Sequence, residues 1–144
     1  MPMLSITRDT RGLATLTLDR PEARNALSGE LVARLTATLA ELAEDRAVRI
    51  VALTGAGSVF CAGADIGEMR AAGAAPSDRN EADSRRFATL LERLENQPQP
   101  TVAIVNGAAY GGALGLIAAC DIALAADSAR FALSEVRLGL VPAM

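Results

Sequence analysis

The chain contains no histidine and no lysine: all 14 of its basic residues are arginine, in a total of 144. Those absences remove histidine general-base catalysis, lysine Schiff-base chemistry and the phosphate-binding lysine of a P-loop. Aromatic residues make up 3% of the chain, so Tyr110 is the one phenol available. The two cysteines, Cys61 and Cys120, lack paired spacing; they read as free thiols in a reducing compartment, and no metal site is expected. Met1-Pro2-Met3-Leu4 shows no charged segment leading into an apolar one, so no signal peptide is expected and the compartment expected is the cytoplasm. With a formal net charge of −3 and no basic stripe, a nucleic-acid partner is not expected. Proton transfer therefore falls to carboxylates, Tyr110 and the two thiols.

What is present is apolar: 51% of residues are hydrophobic, enough for one core and a single domain. The segment from Thr101 to Cys120 carries no charge and contains Gly107-x-x-x-Gly111-x-x-x-Gly115, a pattern that also occurs in membrane helices. Pro98 and Pro100 precede it and Asn106 interrupts it. A buried strand, a tight turn and a buried helix account for it, and no membrane span is expected.

Alternation in Leu4-Ser5-Ile6-Thr7 and Leu13-Ala14-Thr15-Leu16-Thr17-Leu18, around Asp9-Thr10-Arg11-Gly12, predicts a hairpin. Arg20-Pro21-Glu22 ends the second strand. Ser28 is placed to cap a helix running to about Asp45, with Leu31, Leu35, Leu39 and Leu42 on its apolar face. Val48 to Thr54 predicts a buried strand. Phe60 to Ala64 returns to the core, and Asp65 to Met69 starts a helix. Ala71 to Asp78, rich in Ala, Gly, Pro and Ser, predicts a mobile loop before a polar helix from about Glu81 to Asn96. After Gln97-Pro98-Gln99-Pro100 come a strand (Thr101 to Val105), a buried helix (Gly112 to Cys120) and another strand (Ile122 to Ala126). Phe131 to Glu135 reads as short and extended or turned. This strand–turn–helix rhythm predicts an α/β architecture with largely parallel inner strands.

Gly55-Ala56-Gly57-Ser58-Val59-Phe60 resembles a dinucleotide fingerprint only superficially, because Phe60 stands where its third glycine belongs. Two other glycine-rich turns carry more. Cys61-Ala62-Gly63-Ala64-Asp65-Ile66 and Asn106-Gly107-Ala108-Ala109-Tyr110-Gly111-Gly112-Ala113 each follow a strand and open a helix. The first N–H groups of a helix lack intrahelical partners and carry partial positive charge. Two such starts can aim two donors at one oxygen, the arrangement that stabilises an oxyanion.

These strings, with Pro21-x-x-Arg24-Asn25-Ala26-Leu27, Cys120-Asp121-Ile122 and Phe131-x-x-x-Glu135-x-x-Leu138-Gly139-Leu140-x-Pro142, resemble the enoyl-CoA hydratase/isomerase, or crotonase, superfamily. The resemblance covers essentially the whole chain in the same order. It implies a crotonase-type spiral of ββα units. It also implies that a thioester carbonyl sits between the amides of Ala64 and Gly112, and that Glu135 is a catalytic carboxylate. Arg24, Ala26, Ala62 and Ile66 would surround the CoA portion. Asp65 would stand among these binding residues, although its place at a helix start also suits it to capping. No cofactor is implied, since CoA belongs to the acyl-CoA substrate.

The family's hydratases use a second glutamate, at the position occupied here by Gly115. That departure leaves hydration, isomerisation by the single Glu135, or a binding-only paralogue open. The strings around Gly112 and Glu135 look like bacterial methylglutaconyl-CoA and carboxygeranoyl-CoA hydratase relatives, which act in leucine and acyclic-terpene breakdown. Family members also continue beyond the equivalent of Met144 into helices that close the acyl pocket and build a homotrimer or dimer of trimers. Residues 1–144 are therefore expected to form an N-terminal core lacking the C-terminal helices, poorly active alone and with exposed apolar surface.

Overall fold

The computed structural model describes residues 3–142. Strands β1 (Leu4–Arg8) and β2 (Leu13–Leu18) form the expected antiparallel hairpin, with Leu4 opposite Leu18. Asp9 closes its turn by accepting from the amides of Arg11 and Leu13, both at 2.9 Å. Strands β3 (Ile50–Gly55), β5 (Thr101–Val105) and β7 (Ile122–Ala125) then add in parallel, giving the order β1-β2-β3-β5-β7. A second, smaller parallel sheet joins β4 (Val59–Cys61), β6 (Ala108–Tyr110) and β8 (Phe131–Ala132).

Helix α1 (Gly29–Glu44) begins where Ser28 Oγ accepts the Leu31 amide at 3.3 Å, and Leu31, Leu35, Leu39 and Leu42 are buried as the periodicity requires. That stripe covers the core-facing side chains Ala14, Leu16 and Leu18 of β2 and Val51 and Leu53 of β3. Burying each leucine contributes about 1.5–3 kcal/mol. Helices α2 (Ile66–Ala72) and α3 (Ser77–Glu95) are mostly exposed: α2 buries no residue and α3 only Leu90 and Leu94. Helix α4 (Gly112–Ala118) buries Ala113, Gly115 and Leu116.

Three sequence expectations need correction. Ala71 to Asp78 is not a loop: α2 runs through Ala72 and α3 starts at Ser77, so only residues 73–76 connect them. Alanines favour helix, and Pro76, at the cap of α3, presets the backbone for a helix start. The polar helix consequently begins four residues before Glu81. Strand β6 went unrecognised inside the second glycine-rich turn, because three residues are too few to display alternation.

The uncharged segment from Thr101 divides into β5, β6 and α4, and among the described residues no helix is long and apolar enough to cross a membrane. Asp121 anchors its far end. The carboxylate accepts from the Thr101 amide at 2.7 Å and hydroxyl at 2.8 Å, which holds its carboxyl below the usual range. Strand β7 lies at the edge of the large sheet with Ile122 and Leu124 more than half exposed; Phe131, Val136 and Leu138 are exposed as well.

Candidate active site

The stretch after β2 runs beside the stretch after β4. The Ala62 amide donates to the Arg24 carbonyl (3.0 Å), Leu27 N–H to Gly63 (2.7 Å), and Asp65 N–H to Leu27 (3.1 Å). Arg24 and Asn25 both adopt left-handed backbone, φ 52° and 56°. Asn25 is fully buried, and its amide accounts for the cost of that conformation. Its Oδ1 accepts from Arg20 N–H at 3.0 Å, and its Nδ2 donates to the carbonyls of Ala56 (2.9 Å) and Val59 (2.8 Å). One side chain thus pins the stretch after β2 to the turn between β3 and β4.

Within residues 62–65 every amide but one is engaged. Gly63 N–H reaches the Cys61 sulfur at 3.4 Å, and the Ala62 and Asp65 amides are bonded as above. Ala64 N–H has no acceptor among the described residues, and Ala64 is exposed. On the other loop, Gly111 donates to the Ala132 carbonyl at 3.0 Å and its own carbonyl accepts from Leu114. Gly112, the first residue of α4, likewise has no acceptor for its N–H among the described residues.

The two loops touch. A Cβ on Gly63 (φ 89°) would stand 2.6 Å from the Tyr110 carbonyl oxygen and 3.5 Å from Gly111 Cα. Ala64 and Gly112 then line one cleft of about 370 Å³, walled by Leu27, Val32, Met69 and Phe87.

Glu135 arrives from a third direction. Strand β8 pairs with β6, Tyr110 opposite Ala132, and the chain turns into a 3-10 helix, Ser134–Leu138. Glu135 Oε1 lies 2.9 Å from the point where a Cβ on Gly111 would sit. Glycine is required at 111 for a second reason, its φ of 53° with ψ −126°. The other carboxylate oxygen, Oε2, is buried without a hydrogen-bond partner among the described residues. An unpaired acceptor thus lies against the residue that precedes one of two unengaged donors.

These contacts agree with a match along the chain. Residues 8–144 match the family described as Enoyl-CoA hydratase/isomerase. This chain belongs to that family. It is 38% identical over 133 residues to the 1,2-epoxyphenylacetyl-CoA isomerase of Escherichia coli (strain K12), spanning 92% of this chain and 51% of that protein. It is also 38% identical over 135 residues to the short-chain-enoyl-CoA hydratase of Clostridium acetobutylicum, spanning 90% and 49%. An enoyl-CoA hydratase structure from Shewanella pealeana superposes with a TM-score of 0.94 at 39% identity, covering 99% of this chain and 53% of that one. The α/β crotonase-like fold is therefore shown, and the chain spans about half the length of these relatives.

The remaining expected residues of this family member divide by what they already do. Ala26 and Ala62 lie within the two paired stretches and Ile66 follows the second; Ile66 is 63% exposed, while Ala26 is buried. Arg24 is exposed, and its guanidinium has no ion-pair partner among the described residues. Asp65 caps α2, Oδ1 accepting from Gly67 (3.0 Å) and Glu68 (3.3 Å), and pairs through Oδ2 with Arg20 at 3.1 Å. Gly115 is buried on α4, so position 115 contributes no carboxylate. The thiols drop out of the proton-transfer set: burial pushes both Cys61 and Cys120 up to about 11, leaving them protonated at neutral pH. Arg20, read in the sequence only as a strand end, emerges as a site neighbour. No local pattern announces a guanidinium that bonds a carboxylate 45 residues away.

Burial pushes the Asp65 carboxyl up, but the Arg20 hydrogen bond and the Glu68 and Gly67 amides outweigh it, leaving it below the ordinary range. Asp121 is depressed as well. Groups with depressed folded-state pKa contribute stability above the unfolded value of about 4 and lose it as pH falls through the folded value. Thermal melts should show a flat midpoint from pH 7 to about 5 and a falling one below about 4. Asp65→Asn should flatten the acid limb; a midpoint unchanged down to pH 3 would contradict this linkage.

Proposed function

We propose that the site hydrates the double bond of a 2-enoyl-CoA thioester through an enolate held by the Ala64 and Gly112 amides. One observation carries the reading: two unengaged amides on touching loops share a cleft, with the Glu135 carboxylate against the residue preceding one of them. In the reaction, Glu135 accepts a proton from water as the water oxygen bonds to Cβ. Negative charge moves to the thioester oxygen, where each amide contributes about 3 kcal/mol of transition-state stabilisation. Glu135, now protonated, returns the proton to Cα as the enolate collapses. One carboxylate thus completes the addition, which the glycine at position 115 requires.

The same glycine favours a second reading, isomerisation. A lone carboxylate that removes a proton from Cα of a 3-enoyl-CoA and returns it to Cγ needs no water and no partner acid. Relatives named for hydration of an enoyl-CoA and for isomerisation of an epoxide-bearing CoA thioester both resemble this chain. The readings separate on the protein at its full translated length. Loss of conjugated thioester absorbance from a 2-enoyl-CoA supports hydration; appearance of that absorbance from a 3-enoyl-CoA supports isomerisation. A protein that binds both and changes neither would overturn the enzymatic reading.

The cleft also bears on the acyl group. Its apolar wall is bordered by Glu68 and Asp83, and the cation that lines it, Arg86, is already paired with Asp83 at 3.0 Å. A terminal carboxylate would meet like charge there, so we read the substrate as a neutral, short or branched acyl chain rather than a carboxylated one. Neutral enoyl-CoA esters should exceed carboxylated ones by about tenfold or more in kcat/KM. Equal turnover of a 3-methylglutaconyl ester would overturn this assignment.

A further inference from the structure

We infer that Arg20 is a positioning residue of the oxyanion site, tying the Ala26 carbonyl to the Asp65 carboxylate across the Leu27–Ala64 bridge and so fixing the Ala64 amide. The inference rests on the reading that Ala64 N–H receives the thioester oxygen. Its own grounds are geometric. Leu27 and Ala64 pair as an isolated parallel bridge, held on either side by the Leu27–Gly63 and Asp65–Leu27 hydrogen bonds. So short a ladder resists sliding and rotation poorly.

Arg20 spans it. Nη1 donates to the Ala26 carbonyl at 2.7 Å, immediately before Leu27, and Nη2 donates to Asp65 Oδ2 at 3.1 Å, immediately after Ala64. Arg20 and Asp65 are largely withdrawn from water, with side chains 15% and 20% exposed. The planar guanidinium suits this two-armed span, whereas an ammonium would act as a single point donor. Asp65 Oδ1 is simultaneously fixed by the first amides of α2, so the fork also locks the strand side of the cleft to its helical wall.

A second consequence is electrostatic. Asp65 directly follows the residue whose amide faces the developing negative charge. An uncompensated carboxylate there would oppose that charge. The Arg20 cation cancels it without presenting its own side chain as a ligand, since both arms are committed. Neither effect requires Arg20 to touch substrate.

The test reads each bound molecule rather than the folded fraction. A cinnamoyl-CoA carrying a para-dimethylamino group absorbs further to the red when its thioester carbonyl is polarised by hydrogen bonds. With the wild-type protein at its full translated length, binding should shift the band. In Arg20→Gln the shift should fall by half or more and kcat by about 10–100-fold, while the affinity for the probe stays within about threefold. Arg20→Lys keeps the charge but only one arm, and should lower kcat by about 3–10-fold with a partial shift. A merely structural role would reduce the intensity of the shifted band and leave its position unchanged. Should Arg20→Gln fail to fold, Arg20→Lys decides by the same band position. A shifted wild-type band that stays put in the variants overturns this inference alone; an unshifted wild-type band overturns the oxyanion reading and this inference with it.

Discussion

Glu135→Gln should leave the protein folded and lower kcat by about 10²–10⁴-fold, the range expected when a positioned general acid–base group is removed. The substitution preserves shape and hydrogen-bonding reach against Gly111 while removing the ability to carry a proton. Because Oε2 has no partner among the described residues, its replacement breaks no hydrogen bond within the fold. Stability should change little. Probe affinity should also hold within a few fold, since the amides of Ala64 and Gly112 are untouched, so the loss should appear in kcat and kcat/KM together. Steady-state rates with a 2-enoyl-CoA, alongside a denaturation curve, check both halves. Near-normal turnover by a folded Glu135→Gln protein would remove this carboxylate from the chemistry.

Gly63→Ala should be damaging in a different way. At φ 89° an alanine is strained by about 1–3 kcal/mol before any contact is considered. Its methyl group would also stand 2.6 Å from the Tyr110 carbonyl oxygen, a backbone atom that can yield only by moving strand β6. Together these should lower stability by about 3 kcal/mol or more. The same displacement separates the two loops, so the surviving folded protein should lose about 10²-fold in kcat from misplaced donors. Urea denaturation measures the first effect, and turnover normalised to folded protein the second. A variant with wild-type stability would mean that the two loops are not pressed together as described.

The contrast between these substitutions marks what could be read before folding. The glycine-rich strings around Gly63 and Gly112 were visible as turns that open helices, and Glu135 was visible as a carboxylate within a family-like motif. Helix α1 was legible almost to the residue, because Ser28 supplies a cap and four leucines repeat at helical spacing. Strand β6 and the start of α3 were not. Three residues cannot establish a period, and Ala, Gly, Pro and Ser fit a helix junction as well as a loop. Asn25 and Arg20 were missed for a stronger reason: their partners Val59 and Asp65 lie far along the chain, and nothing local encodes such pairings.

The amino-acid sequence by itself confined the chemistry. Without lysine or histidine, proton transfer was left to carboxylates, Tyr110 and the two thiols; burial in the folded chain, which pushes both thiols up to about 11, then removed the thiols. The sequence also determined the α/β rhythm, since periodicity and capping act between near neighbours. Tertiary structure alone decided that residues 24–27 lie along 62–65, that Gly63 presses on Tyr110, and that Glu135 comes to rest against Gly111. Those juxtapositions arise from parallel strand pairing and close packing among segments distant in the chain. A candidate site assembled from three such segments acquires its geometry only when they meet.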